Sequence, residues 1–203
     1  MDKKEFVLLI IACIVLFIIG LTYGLKNNEN VDSGFEGNID LSGGVYVRFV
    51  FIGASDCFFA NNKEIHHMIN YIKPELDKAL KNNSIKFIST GISYDLSSTT
   101  AIEYLKKTGP YDEVLAGGGA FNLGAIKYAS GGSSTPKVLL FLEEYETELF
   151  GINMINFTDS QHLLKTYTGQ FEIQELYKIV KQYSDSALAD YLGITDYITM
   201  YLD

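Results

Sequence analysis

The chain has 203 residues, a formal net charge of −9 and a pI near 4.8. That acidity argues against a nucleic-acid partner, which needs a basic face to neutralise phosphates. Its 47% hydrophobic share is partly spent in one N-terminal stretch and leaves enough for one domain with its own core. Of the two cysteines, Cys13 lies inside that stretch, so Cys57 has no partner for a disulfide within the rest of the chain.

The stretch is residues 6–23, FVLLIIACIVLFIIGLTY. It carries no charge and is long enough to cross a hydrocarbon core as a helix, which takes about 17–25 residues. Lys3 and Lys4 precede it and Lys26 follows. The positive-inside rule then predicts a cytoplasmic N-terminus and an extracytoplasmic domain, periplasmic or extracellular. Residues 1–25 therefore read as a single-pass anchor, with the membrane as a partner. Two other readings compete. A cleaved signal peptide wants a small-residue cleavage pattern, which Leu21-Thr22-Tyr23-Gly24 lacks. A lipoprotein signal is suggested by Ile10-Ile11-Ala12-Cys13, yet the apolar run continues well past Cys13. Residues 26–44, rich in Asn, Gly, Ser and acidic side chains, read as a flexible linker.

Residues 45–52, VYVRFVFI, are β-branched and aromatic with Arg48 as the one charge, and predict a largely buried strand. Gly53-Ala54-Ser55-Asp56 breaks it. Ile65, Met68, Ile69, Ile72, Leu76 and Leu80 then recur on one helical face, with Pro74 expected to kink or divide the helix. A second strand is expected over 85–93, after the Asn82-Asn83 turn. Ser97 or Ser98 caps a short helix reaching Lys107, stopped by Gly109-Pro110. The glycines at 117–119 predict a tight loop. They are not a phosphate loop, because the Lys-Ser/Thr that would follow is missing.

A short helix is expected over 122–130, a third strand over 138–142 after Thr135-Pro136, and a fourth over 162–168. Ile173, Leu176, Tyr177 and Val180 mark a closing helix. Residues 184–203 form a helical, aromatic-rich tail. The order predicts a right-handed βαβ unit followed by an antiparallel pair and a helix, an α/β sandwich with a mixed sheet.

Three local features, in this order, resemble the thioredoxin superfamily over residues 45–183. The first is the apolar strand running into Gly53-Ala54-Ser55-Asp56-Cys57, with a helix expected to start at the cysteine. The second is Ser134-Thr135-Pro136 immediately before an apolar strand. The third is the ending HLLKTYTGQFEIQELYKIV. The resemblance implies a thioredoxin-like fold, a cis proline at 136 facing Cys57, and a backbone at Thr135 that pairs with an extended partner. It also has departures. Where thioredoxins carry Cys-x-x-Cys, this chain has Cys57-Phe58-Phe59-Ala60, and it has no tryptophan.

A cysteine at a strand-to-helix junction is favoured as a thiolate by free amides and the helix dipole, while the adjacent Asp56 works against it. Against this stands the plainer reading of a lone cysteine as a small buried hydrophobe. A peroxidatic site is disfavoured by Ala54 three residues before Cys57. Metal ligation is not signalled: adjacent His66 and His67 diverge on a helix, His162 is remote, and all three are read as solvent-facing. No cofactor is expected.

Two functions remain. The leading one is a non-catalytic binding or scaffold module outside the cytoplasm, favoured by Ala60 in place of a second cysteine. The alternative is a monothiol exchange protein working through Cys57 with an external resolving thiol. It would use Thr135, Pro136, Phe58 and Phe59 to hold its partner.

Overall fold

The structure is a computed structural model that describes residues 43–128, 134–150, 152–183 and 185–195. The expected anchor, most of the linker and the last residues of the tail lie outside these. No helix among the described residues is long and apolar enough to cross a membrane.

Five strands form one sheet in the order β3-β2-β1-β4-β5. The central strand β1 (Gly44–Gly53) runs parallel to β2 (Lys86–Ser93), which runs parallel to the short edge strand β3 (Glu113–Leu115). On its other side β1 is antiparallel to β4 (Lys137–Phe150), which pairs with β5 (Ile152–Thr168) as a hairpin. Both halves of the predicted topology are present, the βαβ unit and the antiparallel pair.

Alternation along β1 divides the core into two layers. Val47, Phe49 and Phe51 face helix α1 (Lys63–Lys81), helix α2 (Ser98–Lys106) and helix α4 (Gly169–Gln182). Leu188 of helix α5 (Asp185–Tyr191) joins the same layer. Val50 and Ile52 face the short helix α3 (Leu123–Tyr128) through Ala125 and Tyr128. All six apolar positions read as one face of α1 are buried.

Several expectations need correction. Helix α1 starts at Lys63, six residues after Cys57, because the Asn62 side chain accepts from the Glu64 amide and caps it there. Pro74 does not divide α1. It sits on the exposed face, as does Asn70, so the carbonyl that loses its donor is open to water. Strands β4 and β5 extend far beyond 138–142 and 162–168 as a hairpin past the last β1 partner at Tyr145. The sequence alone also gave no sign of β3, whose three residues are too few for a periodic pattern.

Among the described residues the most buried charge is Arg48, on the second layer. Its guanidinium donates to Glu143 Oε2 at 2.8 Å, Thr90 Oγ1 at 2.7 Å, the Tyr145 hydroxyl at 2.8 Å and Glu113 Oε2. Gln161 of β5 donates to the other Glu143 oxygen, so one network touches all five strands. Burial works against the charged guanidinium, but Glu143, Tyr128 and Glu113 outweigh it and hold its pKa above the usual value. A second buried cation, Lys73 of α1, donates to the carbonyls of Thr108 and Pro110 and lies 3.8 Å from the Tyr111 ring centre.

Candidate functional site around Cys57

Cys57 lies in the loop after the central strand. Its Sγ is 3.4 Å from the Thr135 carbonyl oxygen, to which the thiol donates, and it accepts from the Ala60 amide at 3.5 Å. The side chain is half-buried and unpaired. Residues 57–61 form a turn closed by the Asn61 amide donating to the Cys57 carbonyl at 2.9 Å, and the helix follows only after it. One amide, rather than a helix terminus, therefore points at the sulfur.

Thr135 and Pro136 immediately precede β4, and their peptide bond is cis, as is Gly109-Pro110. Pro136 is buried, and its carbonyl accepts from the Gly169 amide at 2.8 Å, which ties this corner to the start of α4. Of the five site residues taken from the sequence, Cys57 and Thr135 are thus in contact and Pro136 adjoins them. Phe58 and Phe59 project outward beside them, 81% and 56% exposed, with ring centres 5.5 Å apart in an edge-to-face pair.

Residues that the sequence did not single out position this loop. Asp95, just past β2, accepts from the Ser55 amide at 3.1 Å, from the Ser55 hydroxyl and from Ser93. Tyr104 of α2 donates to the Ala60 carbonyl at 3.0 Å. Burial first, then the charges of Cys57 and Asp95, push its hydroxyl well above the ordinary pKa, so it stays a donor. A methyl group on Gly53 would overlap the Tyr104 ring at 2.8 Å, which explains a glycine at the end of β1. Ala60 itself is fully buried in the first core layer.

The glycine loop is organised by Asn122. Its amide nitrogen donates to Leu115 at 2.9 Å and to Gly117 at 2.8 Å, and its oxygen caps the Gly124 and Ala125 amides. Gly117, Gly118 and Gly119 all have positive φ, at 84°, 83° and 56°, a run that only glycine tolerates. The Asp95–Ser55 pair was recoverable in principle from an acidic residue just past a predicted strand. Asn122 and Tyr104 gave no signal.

His66 differs from the solvent-facing reading. Its Nε2 is buried without a hydrogen-bond partner among the described residues, and its ring packs edge-on to Tyr104 at 6.1 Å. Burial and the nearby Lys107 charge lower its pKa. Among the described residues no group of three or more His, Cys, Asp or Glu is placed to hold a metal ion.

No family model matches the chain, and no curated protein matches it. Among solved structures, a copper-bound ScoI from Arabidopsis thaliana is 17% identical with a TM-score of 0.34, covering 68% of this chain and 86% of that one. A thiol-disulfide isomerase from Corynebacterium glutamicum is 16% identical with a TM-score of 0.32, covering 78% and 90%. Neither likeness carries an argument about chemistry. The parallel β1–β2 unit, the antiparallel β4–β5 pair and the closing helix α4 on this mixed sheet make the fold thioredoxin-like.

Proposed function

We propose that the chain is a membrane-tethered monothiol protein that exchanges disulfides with a partner through Cys57. The observation that carries the reading is the setting of the sulfur. It is half-buried and lies 3.4 Å from the Thr135 carbonyl, with the Ala60 amide directed at it.

In the exchange, the Cys57 thiolate attacks one sulfur of a partner disulfide. A bond forms between Sγ and that sulfur while the old S–S bond breaks. The departing sulfur leaves as a thiolate and takes up the proton that Cys57 released. Ala60 offers no second sulfur, so an external thiol attacks the mixed disulfide and returns Cys57 to the free form. Thr135 presents backbone to an extended partner in the manner of strand addition, Pro136 shapes that corner, and Phe58 and Phe59 form an apolar rim. The uncharged stretch 6–23 supports an anchor, and Lys3 and Lys4 before it support a domain on the extracytoplasmic side.

A second reading, a binding module without exchange chemistry, is favoured by one observation: position 60 is sealed into the core. Alkylation by iodoacetamide, with Cys57→Ser as the blank, separates the two. Modification of the native protein together with a trapped mixed disulfide supports exchange. Modification only after unfolding removes it and leaves the binding module. Alkaline extraction of membranes tests the anchor; release into the supernatant would contradict it.

A further inference from the structure

Three loops at the carboxyl ends of β1, β2 and β3 are joined into one platform. Asp95 holds Ser55 of the Cys57 loop through its carboxylate. Its carbonyl accepts from the Gly119 amide at 3.2 Å, and the next carbonyl, of Leu96, accepts from the Gly118 amide at 3.1 Å. Leu96 lies against the glycine loop so closely that a methyl group on Gly119 would sit 2.8 Å from its Cδ2. Each loop presents an apolar side chain to water: Phe58 at 81%, Leu96 at 84%, Phe121 at 85% and Leu123 at 80%, with Phe59 beside them. The phenylalanines of these loops together expose on the order of 400 Å².

The charges on these loops narrow what the platform takes. Residues 54–61, 94–98, 117–126 and 134–136 contain Asp56 and Asp95 and no lysine or arginine. Glutathione carries two carboxylates. Nothing on these loops would hold them; Lys107, which reaches the Cys57 loop, is engaged with Asn61 Oδ1 at 2.9 Å, and Asp56, exposed and next in sequence to Cys57, would repel them. An apolar polypeptide loses nothing there and covers the exposed rings.

We infer that the partner at Cys57 is a polypeptide whose cysteine is flanked by apolar residues, seated across Phe58, Leu96, Phe121 and Leu123, and not a small anionic thiol. This rests on the exchange reading and specifies its partner. The covalent step is the one described above, with the partner's own disulfide as the oxidant.

The test uses the full chain and two short peptides of equal length, each with its cysteine activated as a mixed disulfide with cysteamine. One has Leu and Phe around the cysteine, the other Ser and Asp. Oxidised glutathione is the third reagent, and iodoacetamide reports whether the native thiol is available at all. The apolar peptide is expected to form the mixed disulfide at least about tenfold faster than the other two reagents. Leu96→Ser combined with Phe121→Ser, both at exposed positions, is expected to remove most of that advantage. Native alkylation with equal rates for all three reagents, or an advantage unmoved by the double variant, overturns the inference and leaves exchange chemistry standing. Absence of native alkylation overturns the exchange reading itself, and this inference with it.

Discussion

The Asp95 carboxylate receives the Ser55 amide at 3.1 Å and the Ser55 hydroxyl together, fastening the loop two residues upstream of Cys57 to the end of β2. Asp95→Ala leaves that amide and the Ser93 hydroxyl without their acceptor. Urea unfolding is expected to show a loss of about 1–3 kcal/mol. The rate of native Cys57 alkylation is expected to change with it, because the sulfur is no longer held against Thr135. Unaltered stability and alkylation would mean that the clamp has no such role.

Arg48 makes a different kind of demand. Arg48→Met strands Glu143 in a position where it is 6% exposed, at an expected cost of about 3–5 kcal/mol. Replacing both residues, as Arg48→Met with Glu143→Leu, should recover at least half of that loss, since no buried charge is then left alone. Equal destabilisation of the single and double variants in denaturant titration would show that shape, and not charge pairing, dominates at this site.

Lys73 gives stability a pH dependence. Burial lowers its pKa from 10.5 to about 7, with Asp112 pulling weakly the other way. Between those values the unfolded chain binds more protons than the folded one, so stability rises with pH across the window, by up to about 1.4 kcal/mol per unit. The contribution is fully present above about pH 10.5 and is lost progressively as pH falls to about 7. Comparing unfolding free energies from pH 7 to 9.5 against Lys73→Met should show this slope in the parent and its disappearance in the variant. The upper limit keeps clear of the buried tyrosines. Tyr104 and Tyr111 have pKa values raised by burial, so they destabilise the fold above about pH 10.

Ala60→Cys restores a second sulfur three residues after Cys57. The amide of residue 60 is already 3.5 Å from Sγ, so the variant is expected to close an internal disulfide on oxidation. It should also release a trapped partner at least about tenfold faster than the parent, because the attack becomes intramolecular. Mixed-disulfide lifetime on a non-reducing gel reads this directly. The added atom enters a filled core at an expected cost of about 1–3 kcal/mol. A lifetime equal to the parent's would place the two sulfurs out of mutual reach.

Much of the fold was legible because it is written in periodicity. The α1 face of Ile65, Met68, Ile69, Ile72, Leu76 and Leu80, and the uncharged run 138–142, could each be read from spacing alone. The contact of Cys57 with Thr135 was implied only by family resemblance. What escaped was set by distant parts of the chain. β3 exists because Glu113, Val114 and Leu115 find Thr90, Gly91 and Ile92, a pairing that no local pattern announces. The delayed start of α1 turns on one side-chain acceptor, Asn62, competing with a cysteine that resemblance had favoured. Arg48 was visible as the one charge in an apolar strand, but its partners lie on three other strands.

The ion pair between Glu113 and Arg48 spans from β3 over β2 to β1. A three-residue edge strand would by itself fray ahead of the rest of a sheet. Here its departure would deprive a guanidinium sealed from water of one of its two counter-ions. The outermost rung on that side is thereby bound to the opening of the central strand, and amide exchange at Val114 should be as slow as the innermost protons allow.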